Sequence, residues 1–186
     1  MNFKFKNIIL NIVTVFTVAM FFSCEGSLKN VQKANMSTFS PIGEADSINL
    51  RYTDSGKVLT TLKSEKMLDY SNIDNPFVEF PKGVFVSMYD KNGTVTTTIR
   101  SDYAISYKKT DIIDLQGNVV IASNDGKKME TSQLYFDQKN EWFFTEKFFK
   151  FTDGEGGFLQ GPGVDFSKDF KIFNMQQSNG EVKSVE

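Results

Sequence analysis

The chain of 186 residues has no histidine. That removes the commonest general base and the commonest metal ligand, and with them the Ser-His-Asp and Cys-His nucleophile arrangements. Only carboxylates, lysines and tyrosines remain for acid–base work. There is one cysteine, Cys24, so neither an internal disulfide framework nor a cysteine zinc cluster can form. No basic run occurs, and the formal net charge is -2. Nucleic-acid binding, which needs clustered Lys and Arg, is therefore not expected. The longest apolar run, Ile8 to Phe22, is about fifteen residues and is interrupted by Asn11, Thr14 and Thr17. A membrane span needs roughly 20 apolar residues. After residue 47 no long stretch carries a helical period.

The short apolar run follows Lys4 and Lys6 and ends in Phe21-Phe22-Ser23-Cys24. Basic residues, a short apolar core and a small residue read as a secretory signal over residues 1–23. Ser23-Cys24 resembles the lipobox of bacterial lipoproteins, although Phe22 is bulkier than its strict form. That resemblance implies an acylated Cys24 and an anchor to a membrane outside the cytoplasm, firm because each buried methylene contributes about 0.8 kcal/mol. Glu25, directly after it, is a sorting cue whose meaning differs among bacteria. Residues 24–46 are polar and without period, which predicts a lipidated cysteine followed by a tether.

From Ile48 onward the sequence alternates. Val84, Val86 and Met88 fall on one strand face, with Phe85, Ser87 and Tyr89 on the other. Asp54-Ser55-Gly56, Asn92-Gly93, Asn124-Asp125-Gly126, Gly156-Gly157 and Asn179-Gly180 are turn signals of the hairpin kind. One repeat is visible: the stretch from Tyr52 to Ser64 parallels Tyr89 to Ser101, each a strand, a glycine turn and a strand. A single hairpin cannot bury its apolar face, so stacked copies must form the core. The expectation is an all-β, open or rolled structure over residues 47–180, with residues 181–186 as a tail. In the densest aromatic run, alternation puts Phe143, Phe149 and Phe151 on one face and Trp142, Phe144 and Phe148 on the other. A strand apolar on both faces is either sandwiched between layers or faces a greasy cavity; a groove for acyl chains is the functional reading.

Five segments in order carry a family resemblance. They are Tyr52 to Tyr70, Asn75 to Tyr107 (with Pro76-Phe77-Val78-Glu79-Phe80-Pro81-Lys82-Gly83), Leu115-Gln116-Gly117-Asn118-Val119, its continuation to Asp137, and Gly157 to Phe170. Behind an N-terminal anchor, this order resembles the LptC family of lipopolysaccharide export, in its Bacteroidetes-type lipoprotein form. The resemblance implies a twisted β-jelly roll of stacked antiparallel hairpins, open along one side as in OstA-like domains. It implies an apolar interior for the acyl chains of lipopolysaccharide. The implied partners are the periplasmic domains of an inner-membrane ABC transporter and a periplasmic bridge protein at the C-terminal edge, both joined by edge-strand pairing. No cofactor, metal or enzymatic activity is implied, since ATP is hydrolysed by the transporter. The implied location is the periplasmic side of the inner membrane. Typical members are held there by a transmembrane helix, where this chain shows a lipobox.

Phe85, Tyr135, Phe136, Phe144 and Phe149 are the candidates for lining the groove. Gly117 and Asn118 match the family's Gly-Asn-Val turn and are expected to start a strand. Gly161 and Gly163 match glycines that begin the C-terminal strands, at the end expected to meet the bridge protein. Asp165 and Asp169, four apart, are the one carboxylate pair that could suggest catalysis. Two rivals to the conduit remain: an adaptor lipoprotein that pairs strands without carrying lipid, and a jelly-roll enzyme acting on sugars.

Overall fold

The computed structural model describes residues 40–176 and 179–181. The signal, Cys24 and most of the tether lie outside them. The described residues form 12 strands and no helix. The strands are β1 (Gly43–Asp54), β2 (Lys57–Tyr70), β3 (Phe77–Phe80), β4 (Val84–Tyr89), β5 (Val95–Ser101) and β6 (Tyr103–Tyr107), followed by β7 (Ile112–Ser123), β8 (Lys128–Asp137), β9 (Trp142–Thr152), β10 (Phe158–Ser167), β11 (Phe173–Met175) and β12 (Asn179–Glu181). β1 starts at Gly43, inside the segment read from sequence as tether. Its first residues are polar, but Gly43 to Asp46 pair with Asp69 to Lys66, and Lys66 closes an ion pair with Glu44 at 3.0 Å.

The connectivity is an up-and-down meander in which every leg is bent at its middle. β2 pairs with β4 through residues 60–63 and with β3 through residues 68–70. β7 pairs with β6 through residues 112–116 and with β5 through residues 97–100 opposite 120–123. So β3 with β4, and β5 with β6, are single legs interrupted at the bend. β11 and β12 divide the last leg the same way, each pairing with one half of β10. Four of the turn signals fall at hairpin ends, whereas Asn179-Gly180 lies inside β12, where the two residues pair with Gln160 and Leu159; the two copies of the repeat are the β1–β2 and β4–β5 hairpins.

The bends lie on neighbouring strands and form one crease. They include positive-φ Ser47 in β1, the Pro81-Lys82-Gly83 turn between β3 and β4, Gly117 and Asn118 in β7, and a register shift at Pro162 to Val164 in β10. Hydrogen bonds stitch the crease across strands. Ser64 Oγ donates to the Gly83 carbonyl at 2.6 Å, Asp102 N–H to the Gly117 carbonyl at 3.0 Å, and Thr145 Oγ1 to the Gln133 carbonyl at 2.7 Å. Pro162 has no N–H to give. It sits between the stretch of β10 covered by β12 and that covered by β11, so no ladder bond is lost there.

The crease divides the meander into two half-sheets whose inner faces share one core. One half-sheet contributes Val84, Met88, Ile99, Ile121, Met129, Phe149 and Phe151; the other contributes Phe80, Ala104, Leu115, Leu134, Phe143 and Phe166. Phe151 of the first meets Phe173 of the second at 4.8 Å between ring centres, so the halves close face to face. Burying each such side chain contributes about 1.5–3 kcal/mol. The fold is the laterally open β-jelly roll expected: among the described residues β1 pairs only with β2, and β11 and β12 pair only with β10, so neither edge closes on the other.

Candidate functional site

The interior between the half-sheets is built from cross-strand rows. In the first half-sheet Leu50, Leu62, Val86, Ile99, Ile121, Met129, Phe151 and Leu159 stand opposite one another across successive strands. In the second, Ile113, Phe136, Phe143, Phe166 and Phe173 do the same. The register forces this, because residues directly opposite in an antiparallel pair share a face. The interior is therefore a single apolar surface running the length of the meander.

Its two ends differ. Near β9 and β10 it is filled by stacked phenylalanines: Phe136 on Phe143 at 4.4 Å, Phe143 on Phe166 at 5.1 Å and Phe166 on Phe173 at 5.2 Å. Phe170, in the turn after β10, inserts against Phe166 at 5.3 Å. Near β1 the same face opens. Leu50 is 48% exposed and Tyr52 67%, and Ile48, Leu62 and Met67 are only partly buried. A long apolar chain could enter there without first displacing a packed ring.

The five groove candidates do not share a face. Phe136 and Phe149 point into the interior, Phe149 being fully buried. Phe85, Tyr135 and Phe144 project from the opposite faces, with Phe85 44% and Phe144 37% exposed. Tyr135 stacks on Phe144 at 5.1 Å, and the Tyr135 hydroxyl accepts from Gln133 Nε2 at 2.8 Å. This outer face of the second half-sheet also holds Asp114, which accepts from Gln116 and Gln133, and Tyr103, which donates to Glu79 at 2.7 Å. Burial, then the Glu79 carboxylate, push the Tyr103 phenol well above its ordinary value. The residues lining the open end, Ile48, Leu50, Tyr52 and Leu62, were not singled out from the sequence. Their signal was the even-numbered alternation through β1 and β2, which is weaker than the aromatic run.

Gly117 and Asn118 do not start a strand. They form a bulge inside β7, with φ of 71° and 44°. A Cβ on Gly117 would come within 3.1 Å of the Asp102 side chain, and Asn118 Nδ2 donates to Asp102 Oδ2 at 2.6 Å. Asparagine tolerates the left-handed region better than most residues, so the pair makes the crease. Gly161 and Gly163 likewise lie within β10 and not at its start; they flank Pro162, and Gly161 stands opposite Phe149. Asp165 accepts from Trp142 Nε1 at 3.0 Å and from Asn174 at 2.8 Å, whereas Asp169 pairs with Lys171 at 2.8 Å. Each carboxylate of that pair is thus engaged separately. Among the described residues no group of three or more Cys, Asp or Glu is placed to hold a metal ion, and no helix is long and apolar enough to cross a membrane.

The family described as lipopolysaccharide-assembly, LptC-related, matches residues 9–178. The chain belongs to the LptC family. Membership gives it a role in lipopolysaccharide transport, as an envelope component of the export system associated with the inner membrane. Comparison with curated proteins finds no match.

Proposed function

We propose that the chain, anchored through lipid on Cys24, receives lipopolysaccharide from the inner-membrane ABC transporter and passes it towards the outer membrane. The acyl chains lie against the inner face and the sugar head stays outside. The observation that carries this reading is the gradient along one face, from fully buried Phe149 and Phe166 to exposed Leu50 and Tyr52.

Among the described residues no strand pairs with the outer edge of β1, 12 residues long, which suits the transporter side. The far edge offers β11 and β12, three residues each, to a periplasmic bridge protein. Loading requires the half-sheets to part from the β1 end, because the interior near β9 and β10 is occupied by the chain's own rings. That filling favours a second reading, an adaptor lipoprotein that pairs strands at both edges without carrying lipid.

The two are separated by purifying the full chain from a lipopolysaccharide-producing host in mild detergent, extracting it and identifying bound lipid by mass spectrometry. The conduit predicts lipid A species near one per protein, lost in Leu50→Asp, a change that the exposed site tolerates without unfolding. Protein free of lipid in both forms would leave the adaptor.

A further inference from the structure

The outer face of the second half-sheet collects side chains that a merely solvated face does not. The register from β3 to β10 puts Phe77, Tyr103, Tyr107, Tyr135, Trp142 and Phe144 on it. Trp142 is the only tryptophan of the chain. Among the described residues no lysine or arginine stands in these rows. All the described strands belong to one folded sheet, so no further strand layer packs on this side, and Phe144 is 37% exposed. Aromatic residues enriched and lysine depleted is the composition of a protein–protein contact.

One cross-strand row carries the charge. Across β3, β6, β7, β8, β9 and β10 it reads Glu79, Ile105, Asp114, Tyr135, Phe144 and Asp165. Its three carboxylates accept from neutral donors. Tyr103 donates to Glu79 at 2.7 Å, Gln116 and Gln133 to Asp114 at 2.7 and 3.0 Å, and Trp142 and Asn174 to Asp165 at 3.0 and 2.8 Å. None of the three has an ion-pair partner among the described residues. Asp114 is only 5% exposed, and a buried carboxylate without an opposite charge is costly. What this row lacks is a cation.

The geometry points to a docking surface for an arginine-bearing segment of a partner protein. A guanidinium suits both components of the row, since it packs its plane on an aromatic ring and bonds a carboxylate through its fork. The spacing suits an extended segment. Asp114 and Asp165 are three strands apart, about 14 Å along the row, because strands lie about 4.7–4.9 Å apart. Side chains four residues apart on one side of an extended segment are separated by about 13 Å, so arginines at such positions reach both acids. Anionic membranes and nucleic acid are repelled by the same charges. A neutral glycan would pack on the rings and leave the charges uncompensated. The face lies on the opposite side of the sheet from the acyl interior, so the site stands independently of the conduit reading.

The test uses the full chain in neutral detergent micelles and follows the fluorescence of Trp142, which sits on the face itself. The probes are three acetylated, amidated pentapeptides: Ser-Gly-Ser flanked at both ends by arginine, by lysine or by citrulline, which keeps the shape of arginine without its charge. The proposal predicts a saturable change with the arginine peptide, several-fold weaker binding of the lysine peptide and at least tenfold weaker binding of the citrulline peptide. Asp114→Asn and Asp165→Asn should each weaken binding of the arginine peptide about tenfold. Phe144→Ala, which leaves every charge in place, should weaken it about threefold. All three variants should keep their circular dichroism, and Glu155→Gln, in the exposed turn between β9 and β10, should bind like the unaltered chain. No saturable change, equal binding of the arginine and citrulline peptides, or unaltered binding in Phe144→Ala and both aspartate variants overturns the proposal. Binding of maltoheptaose in place of the arginine peptide would overturn it in favour of a neutral glycan.

Discussion

Phe148 and Phe149 are consecutive in β9 and identical in chemistry, yet the fold gives them opposite fates. Phe148 is 61% exposed, whereas Phe149 is fully buried between Thr131 on β8 and Gly161 on β10. Truncating a buried phenylalanine costs about 3–5 kcal/mol, the larger values arising where the surroundings cannot collapse into the hole. At Phe149 one cross-strand neighbour is a glycine, with no side chain to move in. Phe149→Ala should therefore fall in the upper half of that range, about 4–5 kcal/mol. Phe148→Ala should change stability by no more than about 0.5 kcal/mol, as expected for a surface position. The assay is urea unfolding of the two full-chain variants followed by circular dichroism. A shift of the midpoint for Phe149→Ala with an unchanged slope would match a pure stability loss. Equal losses at the two positions would refute the assignment of faces, and with it the description of the interior.

Removing the Asn118 side chain should loosen the crease. Asn118→Ala loses the 2.6 Å bond to Asp102 and places alanine at φ 44°, for a combined cost of about 1–3 kcal/mol; hydrogen exchange at the Asp102 amide, which donates to the Gly117 carbonyl, should rise, and unchanged exchange would contradict the stitched crease. Tyr103 gives the chain an alkaline weakness. Its folded pKa lies above the ordinary value of 10.0, so its contribution is full below pH 10 and declines as pH rises beyond it. Unfolding curves between pH 9 and 11 should show stability falling, with a shallower fall in Tyr103→Phe; parallel curves would rule the phenol out.

The hairpin rhythm of this fold was plain in the sequence because the turn residues are local. Asn92-Gly93 and Asn124-Asp125-Gly126 need nothing beyond their own φ and ψ to end a strand. The alternation through Val84 to Met88 also read correctly, and that through Trp142 to Phe151 kept its faces although β9 shifts register against both neighbours between Thr145 and Phe149. The bends were harder. Gly117-Asn118 and Gly161-Pro162-Gly163 look like turns, and only the pairing of both flanking halves with the same neighbour shows them to be kinks within one strand. The inward direction was not legible at all. Phe144 and Phe149 are equally greasy, and which of them faces the core depends on the second half-sheet folding back across the crease.

The central claim is that acyl chains lie against the inner face and enter at its β1 end. Its most direct test places a photo-reactive phenylalanine analogue, one position at a time, at Leu50, Leu62, Phe85 and Phe144 in cells making lipopolysaccharide. The account predicts lipopolysaccharide adducts on illumination at Leu50 and Leu62, and no acyl-chain adduct at Phe85 or Phe144. Adducts confined to the outer positions, or none at Leu50 and Leu62 in a variant that still supports export, would contradict it.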